Sequence, residues 1–173
     1  MSARPRTVAK SFRISEHAFQ ALGEDASRQR VSVNTLVNQL FIRYADFDRY
    51  AGRTNAVIIS SDTFRRILES ADDSALREAG KVAGVVMGRA TILARDGVLS
   101  RDTVMHFLRS LADYANFFEY SEVSQGNRCT VTLLHGLGPK WTTFISHYLQ
   151  SLFEAVSIEP VFTLGESSII LEL

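Results

Sequence analysis

Residues 7–45 constrain this chain more than any other stretch. They spell an alternating segment, TVAKSFRIS, followed by two short helical patterns, EHAFQALGEDASRQ and SVNTLVNQLFIRYA. A unit of this size does not enclose a core by itself: below ~40 residues, domains usually need a metal, a disulfide or a partner chain. The segment contains no cysteine. Its most economical closure is to pair with a copy of itself, strand against strand.

The residue pattern agrees with that solution. In an extended segment Phe12 and Ile14 point one way while Ser11 and Arg13 point the other. Ser15 occupies an N-cap position ahead of Ala18, Phe19, Leu22 and Ala26, an apolar stripe at helical spacing. Ser32 does the same for Leu36, Val37, Leu40, Phe41 and Tyr44. Up to residue 13 the chain carries Arg4, Arg6, Lys10 and Arg13 and no acid. Residues 1–50 hold eight basic against five acidic side chains, a net +3, and the remainder carries −3. The neutral total hides a basic head and an acidic body. An anionic partner for the head follows from that asymmetry.

The run FRISEHAFQALGEDASRQRVSVNTLVNQL resembles the ribbon-helix-helix family of DNA-binding proteins, the MetJ/Arc/CopG group, with no insertion. The resemblance covers about a quarter of the chain. It implies an intertwined homodimer whose two-stranded ribbon enters the major groove of double-stranded DNA. By that likeness Ala9, Ser11 and Arg13 are the outward strand residues that read base edges, with Arg4, Arg6 and Lys10 adding charge. Ser32, Val33 and Asn34, at the start of the second helix, form the phosphate clamp. Two positions depart from the pattern: Ala9 stands where a longer polar reader is common, and Arg30 replaces the glycine often found between the helices. The competing reading is an ordinary helical hairpin behind a solvated basic tail.

The second part is patterned as a folded domain. At 173 residues and 46% hydrophobic content, the chain suffices for one large or two small domains. The division is expected around DFDRYAGRTNA, giving a DNA-binding domain over 1–48 and an assembly or effector-sensing domain over 57–173. No apolar run approaches the ~20 residues of a membrane span, and the first residues lack the apolar core of a signal peptide. Cys129, the only cysteine, forms no intrachain disulfide, which fits a reducing cytoplasm.

Within that domain VIIS, residues 57–60, reads as a short buried strand or lead-in. Ser61 or Asp62 caps a helix using Phe64, Ile67 and Leu68. A longer helix runs from about Ser74 to Ala94, and Ser100 caps another bearing Val104, Phe107, Leu108 and Leu111. A hairpin over 117–123 and 128–135 turns at Gln125-Gly126-Asn127. Pro139 opens a helix striped with Trp141, Phe144, Ile145, Tyr148, Leu149, Leu152 and Phe153. Strands 160–164 and 168–173 close the chain. This order predicts an α+β fold: an antiparallel sheet with helices covering one side. The half is faintly similar to ligand-binding domains of the 4-vinyl reductase type, to trafficking-particle subunits, and to an archaeal-type module with a His-x-x-Gly-x-Lys-Trp stretch, here HGLGPKW. A fold likeness licenses no ligand.

Several features carry competing readings. Gly80, Gly84 and Gly88 lie four apart on one helix face, either for close packing or for a ligand on the backbone. His135, Gly136 and Gly138 precede an amide-rich helix start with Lys140 nearby, which suits either an anion or a plain strand-end turn. Cys129 and His135 share a strand face but stand ~20 Å apart at ~3.3 Å per residue. His17, His106, His135 and His147 show no ligand spacing, so no metal is expected. Asp72 and Asp73 read as helix-start charges. No cofactor and no catalytic group emerge, and an enzyme is not expected.

Two function classes remain. One is a dimeric transcriptional regulator whose second domain oligomerises it and senses a small-molecule effector, with Trp141 near any pocket and Cys129 merely buried. Pairing of dimers into tetramers stays open. The other is an antitoxin that autoregulates through the same ribbon. A patterned second domain favours the regulator.

Overall fold

The structure, a computed structural model, describes residues 7–52, 56–126 and 128–173. The chain divides into two compact units, the first ending at Tyr44 and the second running Ala45–Leu173. Arg4 and Arg6 lie outside the described residues.

In the first unit residues 7–15 hold no regular secondary structure. A ribbon strand needs a neighbour to bond with, and a single chain supplies none here. Helix α1 (Glu16–Gln29) starts where the Ser15 hydroxyl accepts the Ala18 amide at 3.3 Å. It ends at Arg30, whose φ of 56° is left-handed and lets Val31 N–H reach back to the Ala26 carbonyl at 3.0 Å. A side chain in that region costs about 1 kcal/mol relative to glycine. Arg30 does make the inter-helix turn without glycine. Helix α2 (Val33–Arg43) is capped by Ser32, which accepts the Thr35 amide at 3.0 Å. A π turn at Tyr44–Asp48 leads into the one-turn α3 (Arg49–Ala51).

The second unit begins ahead of the expected residue 57, because Tyr50 is buried and Phe47 packs on Tyr114 at 5.7 Å. VIIS is the lead-in to the next helix and not a buried strand. Val57, Ile58 and Ile59 are exposed and pair with no strand among the described residues. Helix α4 (Ser61–Ser70) is capped by Ser60, one position earlier than expected, through the Thr63 amide. That leaves Asp62 in the first turn, where its charge meets the positive end of the helix.

Asp72 caps the next helix through the Ala75 amide at 2.8 Å. This long helix is continuous as α5 (Asp73–Ala83), a π turn at Gly84–Gly88 and α6 (Arg89–Asp96). Arg95 then locks the corner to α7 (Arg101–Ala115), donating to Asp96 at 2.7 Å and to the Ser110 hydroxyl at 3.0 Å. Ser100 and Thr103 form the capping box of α7.

Strands β1 (Glu119–Gln125) and β2 (Arg128–Leu134) form the expected hairpin, α8 (Pro139–Glu154) follows, and β3 (Val161–Leu164) and β4 (Ser168–Glu172) finish the sheet. All pairings are antiparallel, in the order β1-β2-β4-β3. Registers place Leu133 opposite Tyr120 and Ile169, and Val131 opposite Glu122 and Leu171. Cys129, Val131, Leu133, Ile169 and Leu171 are buried on one face, while the intervening residues are not. Into that core α7 sends Val104, Phe107, Leu108 and Leu111, and α8 sends Trp141, Ile145, Leu149, Leu152 and Phe153. The unit is an α+β fold built on a four-stranded antiparallel sheet.

The glycine row resolves as packing. A Cβ on Gly80 would overlap the Phe144 carbonyl oxygen, one on Gly84 would stand 2.6 Å from that of Tyr148, and one on Gly88 would stand 2.7 Å from Leu152 Cδ2. The row lets α5 and its π turn lie flush on α8. Close backbone approach offsets the ~1 kcal/mol that each helical glycine costs.

Candidate functional site

The head presents its sequence-derived site residues on two neighbouring stretches of backbone. Ala9, Lys10, Ser11 and Arg13 are all exposed along the non-helical lead-in. Lys10 and Arg13 make no ion pair among the described residues. The Phe12 ring meets Phe41 of α2 edge to face at 5.7 Å. Where the lead-in is extended, that contact turns its neighbours Ser11 and Arg13 to the opposite side.

Ser32, Val33 and Asn34 come together at the start of α2. Ser32 is exposed, its hydroxyl holding Thr35 N–H and lying 2.8 Å from the Thr35 hydroxyl, and Asn34 is exposed beside it. The helix has no acid in its first turn, whereas α1, α4, α5 and α7 each have one. Free amides, a positive dipole end and no local carboxylate make that turn receptive to a phosphate oxygen.

Around these groups the apolar side chains remain uncovered. Phe12 is 68% exposed and Phe41 53%, and Ile14, Phe19, Leu40 and Ile42 are exposed as well. Ala26 and Leu36 are buried already within the single chain.

The second unit holds a polar cluster that sequence reasoning missed. Glu122, exposed on β1 but on the same sheet face as Val131, pairs with Arg109 of α7 and accepts the Tyr120 hydroxyl at 2.7 Å and the Cys129 thiol at 3.5 Å. The Arg109 guanidinium lies 5.5 Å from the Tyr120 ring centre. The Tyr120 hydroxyl, then Arg109, holds the Glu122 carboxyl below the usual range, and burial pushes the Tyr120 phenol up. Glu122, Arg109 and Tyr120 line an open cleft of about 900 Å³ with Asp113, Asn116 and His135. Each is satisfied by another, and these bonds favour the ionised carboxylate. No nucleophile with an adjacent free base results. The signal was register: pairing across the hairpin puts Glu122 beside Val131 on the buried face, which periodicity along β1 alone does not reveal.

The His135 turn is structural. Its Nε2 lies 3.0 Å from Thr142 Oγ1, which is also within 3.1 Å and 3.2 Å of the Gly165 and Glu166 carbonyls. The Thr142 hydroxyl has one proton, and when that proton goes to either carbonyl His135 donates through Nε2. Its Nδ1 is buried and has no hydrogen-bond partner among the described residues. Lys140, expected beside any anion here, instead donates to Asp73 at 2.7 Å and the Ala71 carbonyl at 2.9 Å. That bond holds the Asp73 carboxyl below its ordinary range.

Trp141 is not at the cleft. It is buried against Phe64, Phe117 and Phe144, with its indole N–H on the Phe117 carbonyl at 3.0 Å. Cys129 is buried. Among the described residues no three metal-ligating side chains converge, and no helix is long and apolar enough to cross a membrane. Comparison with known protein families, with curated proteins and with solved structures finds no match to this chain.

Proposed function

We propose that the chain is a sequence-specific DNA-binding transcriptional regulator. Its head pairs with that of a second copy as a ribbon-helix-helix dimer and inserts the paired lead-ins into the major groove. One observation carries the reading: the uncovered Phe12–Phe41 pair and its apolar neighbours, set beside a basic, unpaired segment of strand length. Two such heads back to back would cover those rings and supply the missing ladder partner at once. Arg13 then projects toward base edges, with Ser11 beside it and Lys10 adding charge, and the start of α2 takes a backbone phosphate. Arg4 and Arg6 join the same basic segment by sequence. A folded α+β body, in place of a short tail, favours a regulator over an antitoxin.

Arg13→Ala tests the assignment. A bidentate base contact is worth ~1–3 kcal/mol of discrimination, so specific binding should fall roughly ten- to hundredfold while non-specific binding changes little. The measurement is a titration of operator and scrambled duplex, with the operator taken from selection on random DNA. Equal operator affinity in Arg13→Ala and the parent would refute the groove assignment.

A further inference from the structure

The long helix of the body is apolar on two sides. Its glycine row and Leu76 face α8, and Ile92 continues that buried side. A second stripe, Ala75, Ala79, Val82, Val86, Ala90 and Ala94, runs beside it on the exposed surface. Val82 is 49% exposed and Val86 60%. The one extra residue of the π turn at Gly84–Gly88 keeps the last two alanines on the same side as the first four residues. No charge interrupts the stripe over ~28 Å of helix at ~1.5 Å per residue. A helix apolar on both sides is normally covered on both.

The order of residue sizes identifies the cover. Read from either end, the stripe is alanine, alanine, valine, valine, alanine, alanine. A two-fold axis requires residue i of one copy to meet j of the other while j meets i. An antiparallel copy satisfies this throughout: Val82 meets the partner's Val86, Ala79 the partner's Ala90, and Ala75 the partner's Ala94. The alanines let the helix axes approach to the short end of the ~8–10 Å packing range. Arg89, on the flank, turns inward, donating to the Ser151 carbonyl of α8 at 2.9 Å with its Nε buried, so its charge does not face the stripe.

We infer that the body carries its own self-association surface, the Ala75–Ala94 stripe, which pairs antiparallel with the same stripe of a second copy. The inference uses body residues alone and stands whether or not the head binds DNA. In the regulator it supplies a second two-fold contact per chain.

Cysteine cross-linking of the full chain tests it. In the Ala79→Cys/Ala90→Cys variant mild oxidation should yield a disulfide-linked dimer, with peptide mapping joining 79 of one chain to 90 of the other. Native Cys129 is buried and should take no part. Adding Val82→Glu and Val86→Glu, both at exposed positions, should lower the cross-linking rate at least tenfold while circular dichroism shows the fold retained. The surface is overturned if the double-cysteine variant stays monomeric on non-reducing gels, or if the glutamates leave the rate unchanged. The antiparallel register is overturned if Ala79→Cys alone cross-links as fast as the pair. Running the same variants in a Phe41→Asp background separates this from the head. Cross-linking that persists there belongs to the stripe, and cross-linking that vanishes there makes the stripe a bystander to head pairing and overturns the inference.

Discussion

The head and the body spend similar apolar patterns on different ends. In the body the stripes of α7 and α8 meet the inner face of the sheet, and Phe153, Leu149, Leu152, Val131 and Leu171 lose all contact with water. In the head two helices with equally regular stripes leave Phe12, Phe19, Leu40, Phe41 and Ile42 outside. Helical propensity and capping are not the difference, since Ser15 and Ser32 cap as well as Ser60 and Ser100 do. Number of layers is. A helical pair has nothing to lay its faces against, whereas a sheet with α7 and α8 on one side closes. An amphipathic stripe therefore predicts burial, and the count of elements around it predicts whether the burial is completed within one chain.

The largest expected effect belongs to the finished region. Phe153→Ala removes a fully buried ring and should lower the unfolding free energy by about 3–5 kcal/mol, read from urea denaturation. A loss under about 1 kcal/mol would mean the body core is less closed than its burial indicates. Gly84→Val comes next, since its side chain must enter space filled by the Tyr148 carbonyl and Ser151 Cβ. Forced overpacking of this kind costs about 1–3 kcal/mol and should separate α5 from α8. Retained stability would show that the helices slide apart cheaply.

The contrast sharpens with Phe41→Ala. If the head completes itself on a second copy, this change should leave the concentration-independent unfolding of the body within about 0.5 kcal/mol of the parent. It should instead weaken head association, with DNA affinity falling more steeply on dilution than in the parent. A large loss of body stability with no change in the concentration dependence of DNA binding would erase the distinction between the regions.

Much of the body was legible because its signals are local. Ser100, Pro139 and the glycine spacing each act within one turn of helix, and all three appear where their chemistry requires. The misreadings share a different cause. VIIS reads as buried because its residues are apolar and β-branched, but burial needs a neighbour that sequence does not name. Trp141 reads as a pocket residue, yet the rings of Phe64 and Phe117 from other segments and of Phe144 on its own helix fill the space around it. The Glu122 cluster was invisible because its members come from α7, β1 and β2 and meet only through strand register. In the head, caps and stripes were legible, and Arg30 adopts the turn that its position demands.

The smallest expected effect concerns pH and falls on the body alone. Burial pushes the His135 imidazole below its ordinary 6.5, and burial, then Lys81 and Arg77, does the same to His147. A folded-state value below the unfolded one means that the unfolded chain binds more protons between the two. The contribution to stability is therefore fully present above pH 6.5 and is lost as pH falls through the folded value. The site explains the sign for His135. Its Nδ1 is buried with no partner among the described residues, and both ring nitrogens carry a proton in the charged form, so the proton on Nδ1 would find no acceptor. His135→Gln keeps an amide donor for Thr142 but cannot titrate. Urea midpoints taken stepwise downward from neutral pH should fall less steeply in His135→Gln than in the parent, with the residual slope left to His147. An identical slope in both would assign the acid sensitivity elsewhere, and a parent that gains stability on acidification through this window would reverse the sign argued from burial.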